Sequence, residues 1–237
     1  MKLNFIKQFI IDYKEREGKL SELTWANVYH DSISDKPWLQ TLGLNVGRWA
    51  GGYSFFYILN RILNDVKPSK VIEFGLGESS KFISTYIQNE LRETKHIIIE
   101  HDNIWAENFN SRFILSQNSN IILKKLVEQN IKGFTVITYD SFSNEVDNDI
   151  QLYIIDGPLG SDRYSRYDII KLLEKRENFD DFIIIFDDVD RRGEQDTVID
   201  IHNFLESKKV NFFTEIYKGE KWQRVIVSEK YKWLISL

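Results

Sequence analysis

Five runs of this chain are short and nearly all apolar: KVIEF at 70–74, HIIIE at 96–100, NIILKKL at 120–126, LYIID at 152–156 and FIIIFD at 182–187. Strands buried on both faces read this way, because neither side of the pleat meets water. Segments of helical periodicity separate them, so the pattern predicts a parallel sheet with helices on both faces. The last two runs depart from it. NFFTEIY at 211–217 and WQRVIVS at 222–228 are joined only by KGEK, too short for a helical crossover. They predict an antiparallel hairpin at one edge, and therefore a mixed sheet. Ahead of the strands, Leu3, Ile6, Ile10 and Tyr13 carry amphipathic-helix spacing, interrupted by Lys7 and Gln8. A loop-like middle follows, HDSISDKPWLQTLGLNVGRWAGG. The expected organisation is a helical N-terminal extension over 1–67 and a doubly wound, Rossmann-like α/β domain over 68–237.

Composition narrows the chemistry. At 237 residues the chain fits one α/β core with an extension. There is no cysteine, which removes disulfides, thiolate catalysis and Cys-based metal centres, and makes a reducing cytoplasm the expected location. No apolar run approaches the roughly 20 residues needed to span a bilayer. Net charge is −5 with Lys and Arg scattered, so a nucleic-acid partner is not expected. Homo-oligomerisation is left open.

The first apolar run ends in VIEFGLGESS, residues 71–80. Ligands of open α/β sheets lie beyond the carboxyl ends of the strands, where such a glycine turn sits. The third glycine of G-x-G-x-x-G is missing and no Gly-Lys-Ser/Thr follows, which disfavours a polyphosphate. Glu73 would repel one as well, but could pair with a ligand ammonium, while Ser79, Ser80 and the backbone N–H groups at the helix start could take a carboxylate. Those two charges describe an amino acid, and the methionine end of S-adenosylmethionine carries them. Gly75 and Gly77 would admit its close approach. Glu100 closes the next strand, where a ribose acceptor falls, with His101 or Asp102 beside it.

Two further strand ends are acidic: Asp156 at one tip, Asp187 and Asp188 at the next. Three carboxylates at one mouth repel each other unless a cation sits between them, and hard oxygen ligands select Mg²⁺, Ca²⁺ or Mn²⁺. The motif hydrophobic-x-E-x-G-x-G, here VIEFGLG, resembles motif I of class I S-adenosylmethionine-dependent methyltransferases, and the likeness covers about residues 68–230. The terminal hairpin suits that family better than a dinucleotide-binding sheet, which is parallel throughout. The aspartate set resembles the metal-dependent O-methyltransferases of the catechol and caffeoyl-coenzyme A type, and DGPLGSDRY is similar to a stretch of glucuronoxylan methyltransferases and related polysaccharide-cluster proteins. The resemblance implies methyl transfer to a hydroxyl assisted by Mg or Mn, with Asp156, Asp187 and Asp188 as metal ligands, and Asp156 also at the cofactor. The lysine that follows the first aspartate in the catechol enzymes is Leu159 here, leaving Asp188, Asp162 or His101 as base. Arg163, Arg166 and Arg191 suggest an anionic carbohydrate as acceptor, and Arg163 a catalytic clamp. Trp38, Trp49 and Tyr53 suggest an aromatic lid. Two other readings stand beside this one: a non-catalytic binding protein on the same fold, and a nucleotide-sugar-processing enzyme.

Overall fold

The computed structural model describes residues 2–236. The side chains of Leu3, Ile6 and Ile10, the stripe expected of the first helix, lie outside the described residues. Three helices come first: α1 (Lys2–Ser32), the short α2 (Pro37–Gln40) and α3 (Tyr53–Val66). The α/β pattern then runs β1 (Lys70–Phe74), α4 (Glu78–Asn89), β2 (Lys95–Glu100), α5 (Asn103–Arg112) and β3 (Ser119–Leu123). After a two-stranded insertion, β4 (Leu126–Ile131) and β5 (Phe134–Tyr139), it resumes with β6 (Leu152–Ile155), α6 (Asp168–Lys175), β7 (Ile183–Phe186) and α7 (Arg192–Ser207). The hairpin β8 (Phe212–Lys218) and β9 (Trp222–Ser228) closes it.

The main sheet has seven strands in the order β3-β2-β1-β6-β7-β9-β8. Five are parallel; β9 runs antiparallel between β7 and β8. The mixed sheet and its terminal hairpin match the sequence pattern. NIILKKL does not form one strand, however. β3 stops at Leu123, and Leu126 opens a separate antiparallel hairpin. Lys132 (φ 52°) and Gly133 (φ 87°) turn that hairpin, both left-handed as a two-residue primed turn requires.

Strand alternation divides the core in two. Val71, Leu152, Ile154, Ile183, Ile185, Val225 and Val227 face α1, α3 and α4. Ile72, Phe74, Tyr153, Ile155, Ile184, Phe186 and Ile226 face α6 and α7. Strands covered on both sides explain the runs without polar positions. The helices before residue 67 thus share one core with the sheet. Trp38 packs edge-on against Tyr86 of α4, and Tyr53 lies against Tyr29 and His30, so neither is available as a lid. Trp49 is 94% exposed.

Candidate active site

Every candidate side chain but a few belongs to the carboxyl ends of β1, β2, β6 and β7, because parallel strands align their tips. At β1, Gly75 holds φ +97°, a left-handed conformation that L side chains adopt only with strain. Its N–H donates to Ile99 O (2.9 Å), tying the turn to β2. Gly77 is different: its φ of −168° is extended backbone open to any residue, and a Cβ built there meets no atom within 4 Å. Open space therefore lies against the backbone at Gly77, a cradle suited to a ligand. Across the turn, Gly157 packs so tightly that a Cβ would come within 3.0 Å of Gly75 N and Phe74 C and 2.9 Å of the Tyr139 hydroxyl.

Glu100 supports this turn from β2. Its carboxylate accepts N–H groups from Leu76 (2.9 Å), His101 (2.6 Å) and Asp102 (2.8 Å), and His101 Nδ1 stands 2.9 Å away. Asp102 caps α5 by accepting from the Trp105 N–H at 2.9 Å. Ser80 accepts the Gly77 N–H at 3.0 Å, so its hydroxyl serves the turn itself, with Ser79 buried beside it. Glu73 lies on the α4 side of the sheet, fully buried, with Oε2 3.2 Å from His96 Nε2. That placement puts its carboxyl within the core rather than at the open face of the turn.

The tips of β6 and β7 bring together Asp156, Asp187 and Asp188, with one oxygen of each within 4.8 Å of the others. Protein cations already stand among them. Arg166, 4% exposed, reaches Asp188 Oδ2 (2.7 Å) and Asp156 Oδ1 (3.3 Å) through Nη2, and its Nη1 donates to Asp187 O (3.0 Å) and Ile155 O (3.3 Å). Arg191 Nη1 lies 3.0 Å from Asp188 Oδ2, and Lys221 Nζ lies 3.4 Å from Asp188 Oδ1 and 3.8 Å from Asp187 Oδ2. Gln223 donates to Asp187 Oδ1 at 2.8 Å. Tyr164, Arg166 and Asp188 all hold left-handed φ between 51° and 59°. Non-glycine residues persist there only where their surroundings over-determine them.

These contacts set the charges. Burial, then the charge of Asp187, push Asp156 up to about 8, although Arg166 and Lys221 oppose the rise. Burial and the Asp188 charge push Asp187 up as well. For Asp188 burial acts in the same upward sense, but Arg166, Lys221 and Arg191 outweigh it and hold the carboxyl below its ordinary range. The oxygens are close enough to share an ion, yet the triad faces three protein cations, and a divalent ion would have to displace one of them. The set does not fit a divalent ion as it stands.

Arg163 takes another direction. It forks onto Asp196 of α7 and stacks its guanidinium on Phe134 at 4.7 Å from the ring centroid. Its described partners are those of a clasp between α7 and the inserted hairpin, and the triad is not among them. Asp162 is exposed on the same loop. Sequence reasoning missed Lys221 and Gln223. Their signal was topological: an antiparallel β9 beside β7 starts where β7 ends, which brings residues 221–223 next to Asp187 and Asp188. Two depressions of about 250 and 370 Å³ lie at the opposite, amino ends of the strands. Several of the charges lining them are paired, Lys70 with Asp147 and Asp149, and Asp181 with Lys230.

A seven-stranded sheet of this order, a glycine turn after β1 and an acid at the end of β2 form a recurrent architecture. Among solved structures, it matches the O-methyltransferase TomG from Streptomyces achromogenes, involved in tomaymycin synthesis and determined with S-adenosylmethionine, at TM-score 0.53 and 11% identity over 90% of this chain and 98% of that one. The chain has the class I methyltransferase fold. An O-methyltransferase from Bacillus cereus in complex with S-adenosylhomocysteine matches equally, at TM-score 0.53 and 11% identity, covering 90% of this chain and 100% of that chain. No family model and no curated protein matches the sequence. Among the described residues, no helix is long and apolar enough to cross a membrane.

Proposed function

We propose that this chain transfers the methyl group of S-adenosylmethionine to a hydroxyl of a small molecule. The observation that carries the reading is the open backbone face at Gly77, flanked by Glu100 and by the Asp156 tip, at the place where the strand order reverses between β1 and β6. When bound, the cofactor supplies an electrophilic sulfonium methyl, so that a C–O bond forms as the C–S bond breaks. The chain's own residues then have three tasks: admit the ligand at Gly75 and Gly77, hold its ribose with Glu100 and His101, and position the acceptor oxygen while its proton passes to a carboxylate of the triad. The triad suits the last task, since Asp156 keeps a fifth of its side chain exposed.

The acceptor is narrowed by which of the paired cations still reach solvent. Arg163 and Arg166 hold Asp196 and the triad, so neither offers its fork to a ligand. Arg191, half exposed, is the remaining support for an anionic carbohydrate, next to Arg192 in sequence. The exposed Trp49 would offer an aromatic face to the acceptor, from a loop anchored beside the cofactor turn where Asn45 meets Glu78 at 3.1 and 3.3 Å. The test is methyl transfer from labelled cofactor to a panel of uronic acids, neutral sugars, catechols and amines, with and without a chelator. Transfer to a hydroxyl is expected. Transfer confined to amines would refute the acceptor class.

A further inference from the structure

We propose that the Lys221 ammonium is the resident cation of the aspartate triad, standing where a divalent ion would otherwise sit and donating to the acceptor oxygen. The role toward the acceptor rests on the methyltransferase reading above; the occupation of the triad does not.

Asp188 Oδ2 is held by Arg166 and Arg191, Asp187 Oδ1 by Gln223, and Asp156 Oδ1 by Arg166. Of the remaining oxygens, the two that are fully buried, Asp187 Oδ2 and Asp188 Oδ1, have no hydrogen-bond partner. Unpartnered buried carboxylate oxygens are costly, and they mark the position where a cation belongs. Both face Lys221 Nζ, at 3.8 and 3.4 Å. The pairing is directed by the fold. Val189 N–H donates to Trp222 O (3.0 Å) and Gly219 N–H to Lys221 O (3.0 Å), so the β8–β9 turn is fastened directly beside Asp188.

Charge completes the case. Four carboxylates, the triad and Glu194 at 3.9 and 4.0 Å from Arg166 and Arg191, meet the cations Arg166, Arg191 and Lys221, so the set is close to neutral before any ion enters and a divalent ion would compete with those cations for the same oxygens. A lysine tethered one turn away competes with any free ion at high effective concentration. Lysine also brings three N–H donors. Two suffice for the aspartates; the third remains for a ligand oxygen at the mouth, where 17% of the side chain is exposed. A hydrogen bond from an ammonium to an oxygen that is losing its proton stabilises the developing charge, the task a Lewis acid would perform.

The experiment is titration of the purified protein with Mn²⁺ alone, followed by electron paramagnetic resonance, in the wild type, Lys221→Met and Lys221→Arg. Circular dichroism and thermal melting of each serve as the check on folding, and S-adenosylhomocysteine binding is measured alongside. The wild type and Lys221→Arg are expected to bind Mn²⁺ no tighter than millimolar, and Lys221→Met at least tenfold tighter, in a manner removed by adding Asp187→Asn. Micromolar Mn²⁺ binding by the wild type overturns the proposal, as does a folded Lys221→Met that gains no Mn²⁺ affinity. If Lys221→Met loses its fold, Lys221→Gln takes its place under the same criteria. Absence of S-adenosylhomocysteine binding in the wild type is a separate failure: it removes the cofactor reading and leaves the Mn²⁺ comparison standing.

Discussion

Glu100 carries three backbone N–H groups on one carboxylate, two on Oε1 and one on Oε2. A ligand ribose at this tip would meet an oxygen pair whose orientation is already fixed by the turn it supports. Replacing it by glutamine keeps the shape but turns one acceptor into an NH₂ facing a backbone N–H. Bonds to charged groups contribute about 1.5–3 kcal/mol each, so Glu100→Gln should lower stability by about 2–3 kcal/mol. It should weaken S-adenosylhomocysteine binding at least tenfold. Denaturant unfolding and calorimetry on the same variant separate the two effects. Lost stability with unchanged affinity would make Glu100 a support of the turn only. The acid was legible in the sequence because it closes an apolar run. The role of Arg166 was not. Its neighbours in sequence suggest a free guanidinium, and only the meeting of two distant strand tips, Asp156 and Asp188, turns it inward.

The inserted hairpin β4–β5 shows the same limit among elements. Its alternation and its Lys132-Gly133 turn are present in the sequence, but only two residues separate β4 from β3, and the joined apolar residues read as one strand. The hairpin is clasped to the fold by Asp168 at the start of α6, whose Oδ1 accepts the Tyr139 N–H at 3.0 Å. Burial pushes the Asp168 carboxyl up to about 7, against the influence of Lys171 and of that N–H. A raised folded-state value means that the folded chain binds this proton more tightly than the unfolded one. The contribution to stability is therefore complete below about pH 4 and is lost as pH rises through about 7. Asp168→Asn keeps the acceptor and removes the titration. Its stability relative to the wild type should rise between pH 4 and pH 8, by at most about 4 kcal/mol. Melting temperatures at the two pH values decide it; a constant gap would show that Asp168 does not retain its proton on folding.

At the scale of the whole molecule, the order of the sheet was the most legible feature. Apolar runs mark the strands covered on both faces, and a four-residue link between the last two excludes a crossover, which together give the mixed seven-stranded sheet. The strand-tip chemistry was legible as residue types, since Gly75, Gly77, Glu100, Asp156, Asp187 and Asp188 all stand at the ends of runs. What local sequence could not show is which charges neutralise which, because Lys221 reaches the triad from a segment far along the chain and Arg166 turns inward only where the β6 and β7 tips meet. The central claim is that the Gly75–Gly77 turn receives S-adenosylmethionine. Gly77 provides a clean probe, since its backbone tolerates any residue and a side chain there would enter empty space without disturbing the core. The most direct measurement is titration calorimetry of S-adenosylhomocysteine into the wild type and Gly77→Val. The account predicts one site of micromolar affinity in the wild type and none in an equally stable Gly77→Val; equal binding by both proteins, or none by the wild type, would contradict it.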